Sequence, residues 1–330
     1  MAFDVITVGS ATLDAFVHTD RSQLIKIMSA SGEEDLIAYP SGAKLLISSL
    51  HFESGGGGTN TAVSLARLGL RVGYAGKIGK DHNAELILRF LRREHIAFLG
   101  TQCNSQSAFS VILDSIEHDR TILTFRGCAS DLRFKELKLQ KLRTKWFYFS
   151  SLTDEGYRTL EHLAAWAKGK GIKVAFNPSS YLTAEGFPSL RKLLESTDLL
   201  VLNRDEAKDL VKSNDIEVQL RMLQSVVPLV VITDGRNGVH TCNGESSYTC
   251  LPHKVRVVEA TGAGDAFASA FLAGIIRNED IETCIRMGML NAESVITGLG
   301  AKDILLNKRQ ISLRLRQRPL RVTRKRLPQD

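Results

Sequence analysis

No stretch of this sequence comes near the roughly 18 consecutive apolar residues of a membrane span, so no membrane partner is expected. No Cys-x-x-Cys pair occurs. The five cysteines (Cys103, Cys128, Cys242, Cys250, Cys284) are an odd, scattered set, which argues against a disulfide scaffold and suits a reducing compartment. The opening residues, MAFDVITVGS, show no basic-then-apolar leader, and a cytoplasmic location is expected. No histidine pair has metal-ligand spacing, and no Gly-x-Ser-x-Gly elbow is present. The P-loop pattern is missing too: five positions before Gly79-Lys80 stands Tyr74, and Asp81 follows. Gly262-Ala-Gly264 has Phe267 where a dinucleotide fingerprint needs its third glycine. Proline is sparse, at 7 of 330 residues, and the rest of the composition is ordinary at 43% hydrophobic and 24% charged. Disorder and collagen-like repeats are thereby excluded, and the length suffices for one large α/β domain.

The net charge of +7 raises the question of a nucleic-acid partner, but its location narrows it. Between Lys308 and Arg326 stand nine basic residues and no acidic one. Without residues 308–330, which include Asp330, the 43 basic and 36 acidic residues fall to 34 and 35. The body, residues 1–307, is neutral. The basic segment 308–330, carrying Pro319 and Pro328, reads as a solvated tail, and any nucleic-acid contact is confined to it.

Short apolar runs alternate with helical patterns. Strands are expected at 4–9, 72–75, 145–150, 172–176, 199–202 and 229–233. Helices are expected at 60–68, 85–93, 157–168, 190–195, 206–211, 266–276 and 281–296. That order implies a parallel sheet covered on both faces, with ligands beyond the carboxyl ends of its strands. Two segments break the rhythm. Residues 12–53 hold possible strands at Leu13–Val17 and Lys44–Leu50 around a polar loop; residues 107–126 read as a hairpin about the turn Ser115–Arg120. They are expected to form a small antiparallel sheet inserted as a lid, the alternative being edge strands of the main sheet.

Two glycine clusters carry the chemistry. Glu259-Ala-Thr-Gly-Ala-Gly-Asp265 runs into a helix whose first turn, Gly262, Ala263 and Gly264, has almost no side chain over its backbone. Open amides at the positive end of a helix make an anion site. Asp265 beside such a site suits a base that deprotonates a hydroxyl attacking a phosphate; a plain Gly-rich helix start with a favourable acid is the alternative. Ser54-Gly-Gly-Gly-Gly-Thr-Asn60 also feeds a helix, allowing close backbone approach to a polar ligand with Asn60 as donor and acceptor. After the strand at 199–202, Asn203 and Glu206 share a face, either as oxygen ligands of a hydrated magnesium or as an ordinary helix cap. After the strand at 229–233, Thr233-Asp-Gly-Arg-Asn-Gly238 is a turn that passes under a nucleotide or merely joins two strands.

These four motifs, in this order, resemble the ribokinase-like (PfkB) carbohydrate kinase family over residues 4–305. Gly55-Gly56…Asn60 and Thr261-Gly-Ala-Gly-Asp265 are similar to its two signatures, Asn203-x-x-Glu206 to its NxxE motif, and Thr233-x-Gly235-x-x-Gly238 to its nucleotide turn. The resemblance implies a three-layer α/β sandwich with a mostly parallel central sheet and a small β-sheet lid. It implies an ATP- and Mg²⁺-dependent kinase acting on a sugar hydroxymethyl group. Asp265 would be the general base and Gly262, Ala263 and Gly264 the anion hole. Asn203 and Glu206 would organise magnesium and phosphates, and Thr233, Gly235, Gly238 and Asn291 would contact ATP. Asp14, Gly56, Gly57 and Asn60 would bind substrate, with Arg126 at the lid's exit, and the lid would mediate a homodimer.

Departures bear on the substrate. Glu259 stands where the family usually has Asp near a monovalent-cation loop, which leaves K⁺ as a candidate second cofactor there. Ribokinase carries Asn, Lys and Glu where Thr12, Gly57 and Ser151 align, and these shorter groups argue against assuming ribose. They leave room for a bulkier acceptor, such as a nucleoside in an adenosine-like kinase. A protein that binds nucleotide or sugar without turnover, contacting nucleic acid through its tail, is the non-enzymatic alternative.

Overall fold

The computed structural model describes residues 2–29, 32–114, 120–298 and 300–327. β1 (Phe3–Val8) opens the chain, followed by β2 (Thr12–His18), β3 (Gln23–Ser29), β4 (Gly32–Ala38) and β5 (Ser49–Gly55). Then come α1 (Gly57–Arg67), β6 (Val72–Ala75), β7 (Lys77–Ile78), α2 (His82–Arg93), β8 (Ala97–Phe98) and β9 (Thr101–Gln102). β10 (Ala108–Asp114) and β11 (Arg120–Phe125) precede a regular alternation: β12 (Thr144–Ser150), α3 (Asp154–Lys168), β13 (Lys173–Asn177), α4 (Ser180–Thr183), α5 (Phe187–Leu194), β14 (Leu199–Asn203), α6 (Arg204–Val211), α7 (Ile216–Gln224) and β15 (Leu229–Thr233). The chain ends with β16 (Val239–Cys242), β17 (Ser246–Cys250), α8 (Ala263–Ile276), α9 (Ile281–Val295), α10 (Lys308–Gln317) and β18 (Val322–Arg326).

Ten strands form the main sheet in the order β18-β17-β16-β15-β14-β13-β12-β1-β6-β8, parallel from β15 through β8 and antiparallel at the β16–β18 end. Alternation along each strand feeds two cores. Trp146 and Tyr148 of β12 face the layer holding α1, α8 and α9. Phe147 and Phe149 face the layer with α3, α5, α6 and α7. Helix α8 is apolar nearly all round, and residues 266–274 are buried. A buried helix is a rigid mount, and its first turn carries Asp265.

The lid is a separate four-stranded sheet, β11-β10-β2-β5. It is mixed rather than antiparallel, because β2 and β10 run parallel in register from Thr12↔Ala108 to Val17↔Leu113. Both strands leave the same rim of the main sheet and so start in the same direction. The strand expected at 44–50 lies at 49–55, since β2 ends at His18 and its partner there is Ser49. The loop expected between them contains the hairpin β3–β4, pairing Gln23↔Ala38 through Ser29↔Gly32. In sequence the polar run Glu33-Glu-Asp35 interrupts the apolar residues, so no apolar run marks the second strand. Of the expected turn Ser115–Arg120, residues 115–119 lie outside the described residues.

The basic segment is not a solvated extension. Helix α10 is capped reciprocally by Asn307 and Gln310 and buries Ile311, and Leu320 is buried after it. β18 then pairs antiparallel with β17, from Val322↔Cys250 to Arg326↔Ser246. Arg324 also donates to Ser246 Oγ at 3.1 Å and lies over the Tyr248 ring. Charge counts could not show this, because a basic strand at a sheet edge needs only a few apolar anchors and an open row of amides and carbonyls beside it. Pro328 and Asp330 lie outside the described residues. Deleting residues 308–330 strips the Ile311 and Leu320 anchors, each worth about 1.5–3 kcal/mol, and bares the β17 edge. A fall of at least about 5 °C in melting temperature is expected by calorimetry. An unmoved transition would show that the segment adds nothing to the fold.

Among the described residues, no helix is long and apolar enough to cross a membrane.

Candidate active site

Two cavities open at the carboxyl rim of the parallel strands, where such folds bind ligands. The first, about 320 Å³, lies between the lid and the rim. Its lining is mostly small and neutral, including Ser10, Thr12, Gly57, Ser150, Ser151 and Asn177, with Arg126 and Tyr181 also contributing. The second, about 220 Å³, runs along the ends of β14 and β15 and is lined by Asn203, Thr233, Gly262 and Gly264 among others. Asp265, Glu206 and Asn177 line both. A ligand in each would meet at these three side chains.

Asp265 is placed by the start of α8. Gly262 is left-handed, at φ 75°, and caps the helix. An added Cβ there would lie 2.4 Å from Ala301 Cβ, so only glycine fits. Among the first-turn amides, that of Ala263 bonds to the Ala260 carbonyl. Those of Gly264 and Asp265 have no partner within the helix and lie at its positive end. Nothing lies within 4 Å of an added Cβ at Gly264, so the turn is bare on its outer side. This is the cradle expected of an anion site.

The other glycine cluster faces it. Gly56 is left-handed at φ 89° and packs on the Ser10 carbonyl; a Cβ there would lie 2.6 Å from that oxygen. This approach sets Gly57 beside Ser150 and Asp265. Asn60 Nδ2 donates to Asp265 Oδ2 at 2.9 Å. Asn60 Oδ1 and Ser150 Oγ are buried without a hydrogen-bond partner. Of the two, only Ser150 lines a cavity, where its hydroxyl is open to a polar ligand beside Asp265.

Burial pushes the Asp265 carboxyl up to about 6, against the Asn60 hydrogen bond and the Lys302 charge. Glu206 is pushed up to about 7, chiefly by burial, with the Asp265 charge adding to it. Both groups lose solvation in a site with a second carboxylate, a setting that a bound cation would relieve. A base poised near neutrality suits proton abstraction from an alcohol.

A family profile described as pfkB family carbohydrate kinase matches residues 25–308. The chain belongs to that family. It is 28% identical over 276 residues to a cytidine kinase of Thermococcus kodakarensis, covering 81% of this chain and 94% of that protein. It is 24% identical over 328 residues to the ribokinase of Lactococcus lactis, covering 95% and 97%. A solved ribokinase from Thermotoga maritima superposes with a TM-score of 0.79 at 20% identity, covering 95% of this chain and 99% of that one. The fold is ribokinase-like, and the protein is a phosphotransferase with an alcohol acceptor.

Within this pfkB-family kinase, not every expected residue reaches the cavities. Asn291 does not: it is fully buried, donating to Ala266 O at 2.8 Å and Ser64 Oγ at 3.1 Å and accepting from Leu306 N at 3.0 Å. Its amide is spent on bracing α8 against α1 and α9, so the side chain is not free to contact a nucleotide. Asn203 and Glu206 form a reciprocal cap, Glu206 N donating to Asn203 Oδ1 at 2.8 Å and Asn203 N to Glu206 Oε2 at 2.9 Å. The helix cap is therefore formed, and from it Glu206 borders both cavities and Asn203 the second. Gly235 borders open space, while Gly238 packs on the Cys250 carbonyl and closes the β15–β16 turn. Neither lines the two cavities described. Thr12 rather than Asp14 lines the first cavity; the Asp14 carboxylate lies over Gly55, and burial raises its pKa. Arg126 lies at 4.4 Å over the Tyr181 ring and donates to Thr153 Oγ1 at 2.8 Å. Glu259 accepts from Gly300 N at 2.7 Å, closing the loop behind the anion turn.

Asn177 and Ser150 were not singled out from sequence, although each ends a parallel strand and the rim rule points to such positions. Lys302 carried no such signal, being an isolated lysine in a loop.

Proposed function

We infer that the protein transfers the γ-phosphoryl group of ATP to a hydroxymethyl group of a sugar. The observation that carries this is the meeting of two cavities at Asp265, beside the open amides of the α8 turn. The acceptor would lie in the hydroxyl-lined cavity and the phosphates along the groove ending at Gly262–Gly264. The acceptor oxygen attacks the γ-phosphorus, the bond to the β–γ bridging oxygen breaks, ADP leaves, and the hydroxyl proton passes to the Asp265 carboxylate. Such transfers need in-line positioning and charge neutralisation more than covalent help.

Glu206, a buried carboxylate on the border of both cavities, suits magnesium held through water, with Asn203 beside it; the ion would neutralise phosphate charge. Among the described residues no three His, Cys, Asp or Glu side chains cluster as a metal site. Potassium at the Glu259 loop is tested by comparing rates in potassium and sodium.

A nucleoside is the second reading. Thr12, Gly57 and Ser151 leave room beyond a pentose, and the Tyr181 ring with Arg126 over it offers a flat surface at the cavity wall. A coupled ADP-release assay over sugars, phosphosugars and nucleosides decides between them. Phosphosugars are expected to be poor acceptors, because Arg126 is the only cation among the described residues lining the cavity. No acceptor-stimulated ADP release with any compound would favour binding without turnover.

The lid's exposed Leu50, Phe52, Ile122, Leu123 and Phe125 support a homodimer through this sheet. Sedimentation should give a dimer, and a monomer for a Phe52→Glu/Leu123→Glu variant; a native monomer would refute it. The free cysteines support a reducing, cytoplasmic setting. A nucleic acid, if bound, would lie on the exposed basic residues of α10 and β18, and Lys325→Gln/Arg326→Gln would then lose salt-dependent RNA binding.

A further inference from the structure

A third cavity, about 270 Å³, lies between β5, α1, α2 and the loop after α9. Lys302 forms part of its wall and is 8% exposed. Its Nζ donates to Ser54 Oγ at 3.3 Å. Its backbone carbonyl accepts from Arg67 Nη1 at 2.5 Å, and Arg67 in turn grips Glu94 through two bonds of 3.1 and 2.7 Å. The backbone at Lys302 is thus clamped from α1, while its ammonium reaches the lid.

The charges around that ammonium come from several elements. Asp14 on β2, Glu53 on β5 and Asp265 on α8 attract it, and Arg67 on α1 opposes it. Glu94 also feels it, while His51 and Asp303 act on Glu53. These carboxylates act on the ammonium from beyond ion-pair distance, and Ser54 on β5 is its direct contact with the lid. Next to Lys302 stands Ala301, the residue that an added Cβ at Gly262 would strike. One dipeptide therefore touches the anion turn with its first residue and the lid with its second.

We propose that Lys302 is a positioning residue: its ammonium pins β5 of the lid, at Ser54, to the loop that abuts Gly262, and so sets the lid against the glycine turn. The kinetic consequence rests on the kinase reading above, whereas the pinning itself does not. Burial lowers the ammonium to about 8, so the pin is in place at neutral pH and is lost as pH rises past that value. Arginine stays charged throughout, and methionine never carries the charge.

Hydrogen exchange of the β5 amides, corrected for intrinsic rate, tests this in the full-length protein. Native protection is expected to fall roughly tenfold between about pH 7 and pH 9.5. Lys302→Arg should hold protection at both values, and Lys302→Met should lack it at both. In turnover with the best acceptor of the ADP-release panel, kcat/KM for that acceptor should decline above about pH 8 in the native enzyme but not in Lys302→Arg, with KM for ATP little changed. Native-like protection in Lys302→Met, or the same alkaline loss in Lys302→Arg, overturns the proposal. Should Lys302→Met fail to fold, the Lys302→Arg profile decides alone. Should the native protein turn over no acceptor, the kinase reading fails while the exchange experiment still decides the pin.

Discussion

Asp265→Asn is expected to fold normally, bind ATP and lose turnover by about 10²–10⁴-fold, the usual contribution of a positioned base. The substitution keeps shape: Asn60 Nδ2 can still donate to the side-chain oxygen that replaces Oδ2. What disappears is the proton acceptor at the junction of the two cavities. The same residue is expected to set the acid limb of the native enzyme. With its carboxyl raised to about 6, kcat/KM should fall about tenfold per pH unit below that value. Stability moves the opposite way from activity. A carboxyl whose pKa is higher folded than unfolded destabilises the fold when ionised, fully above about 6 and not at all below its unfolded value. Asp265→Asn should therefore melt no lower than the native protein at pH 8, and the two curves should converge as the pH drops toward 4. Turnover within threefold of native would remove Asp265 from the base role; a lower melting point at pH 8 would show that its charge stabilises the fold.

Gly262→Ala is expected to damage both stability and rate. The left-handed backbone at φ 75° costs an alanine about 1–2 kcal/mol, and its Cβ would lie 2.4 Å from Ala301 Cβ and 2.9 Å from Ala301 Cα. Relieving that overlap moves either the 301–302 loop or the start of α8, at a further cost of about 1–3 kcal/mol. Both parts border the anion turn. A displaced amide pair should lower kcat about 10²-fold, as loss of one oxyanion donor does. Gly264→Ala is the control: its Cβ meets nothing within 4 Å, so its melting temperature should stay near native. Calorimetry and ADP release on the two variants separate strain from anion binding. Native turnover in Gly262→Ala would show that this turn does not hold the transferred group.

Much of the alternating half was legible because buried parallel strands are short apolar runs. The strands at 72–75 and 229–233 lie where expected, and α9 ends within one residue of its expected bound. Elements with mixed faces were harder. Helix α7 and the β16–β17 hairpin lack a continuous apolar run, and β18 is basic along an exposed edge. At the site, the glycine clusters announced themselves through missing side chains. The orientation of an amide did not: Asn291 and Asn60 look alike in sequence, yet one braces the core and the other donates to Asp265.

By itself the sequence determined the layered sheet, the bare glycine turn at Gly262–Gly264 and the carboxylate beside it, because period, glycine content and helix polarity are local properties. Tertiary structure decided where the lid strands register, that Glu206 and Asn177 share a border with Asp265, and that Lys302 bonds to a residue nearly 250 positions away. It also turned a basic tail into the closing edge of the main sheet. Those outcomes depend on which surfaces meet after folding, and burial and charge pairing between distant segments are settled only there.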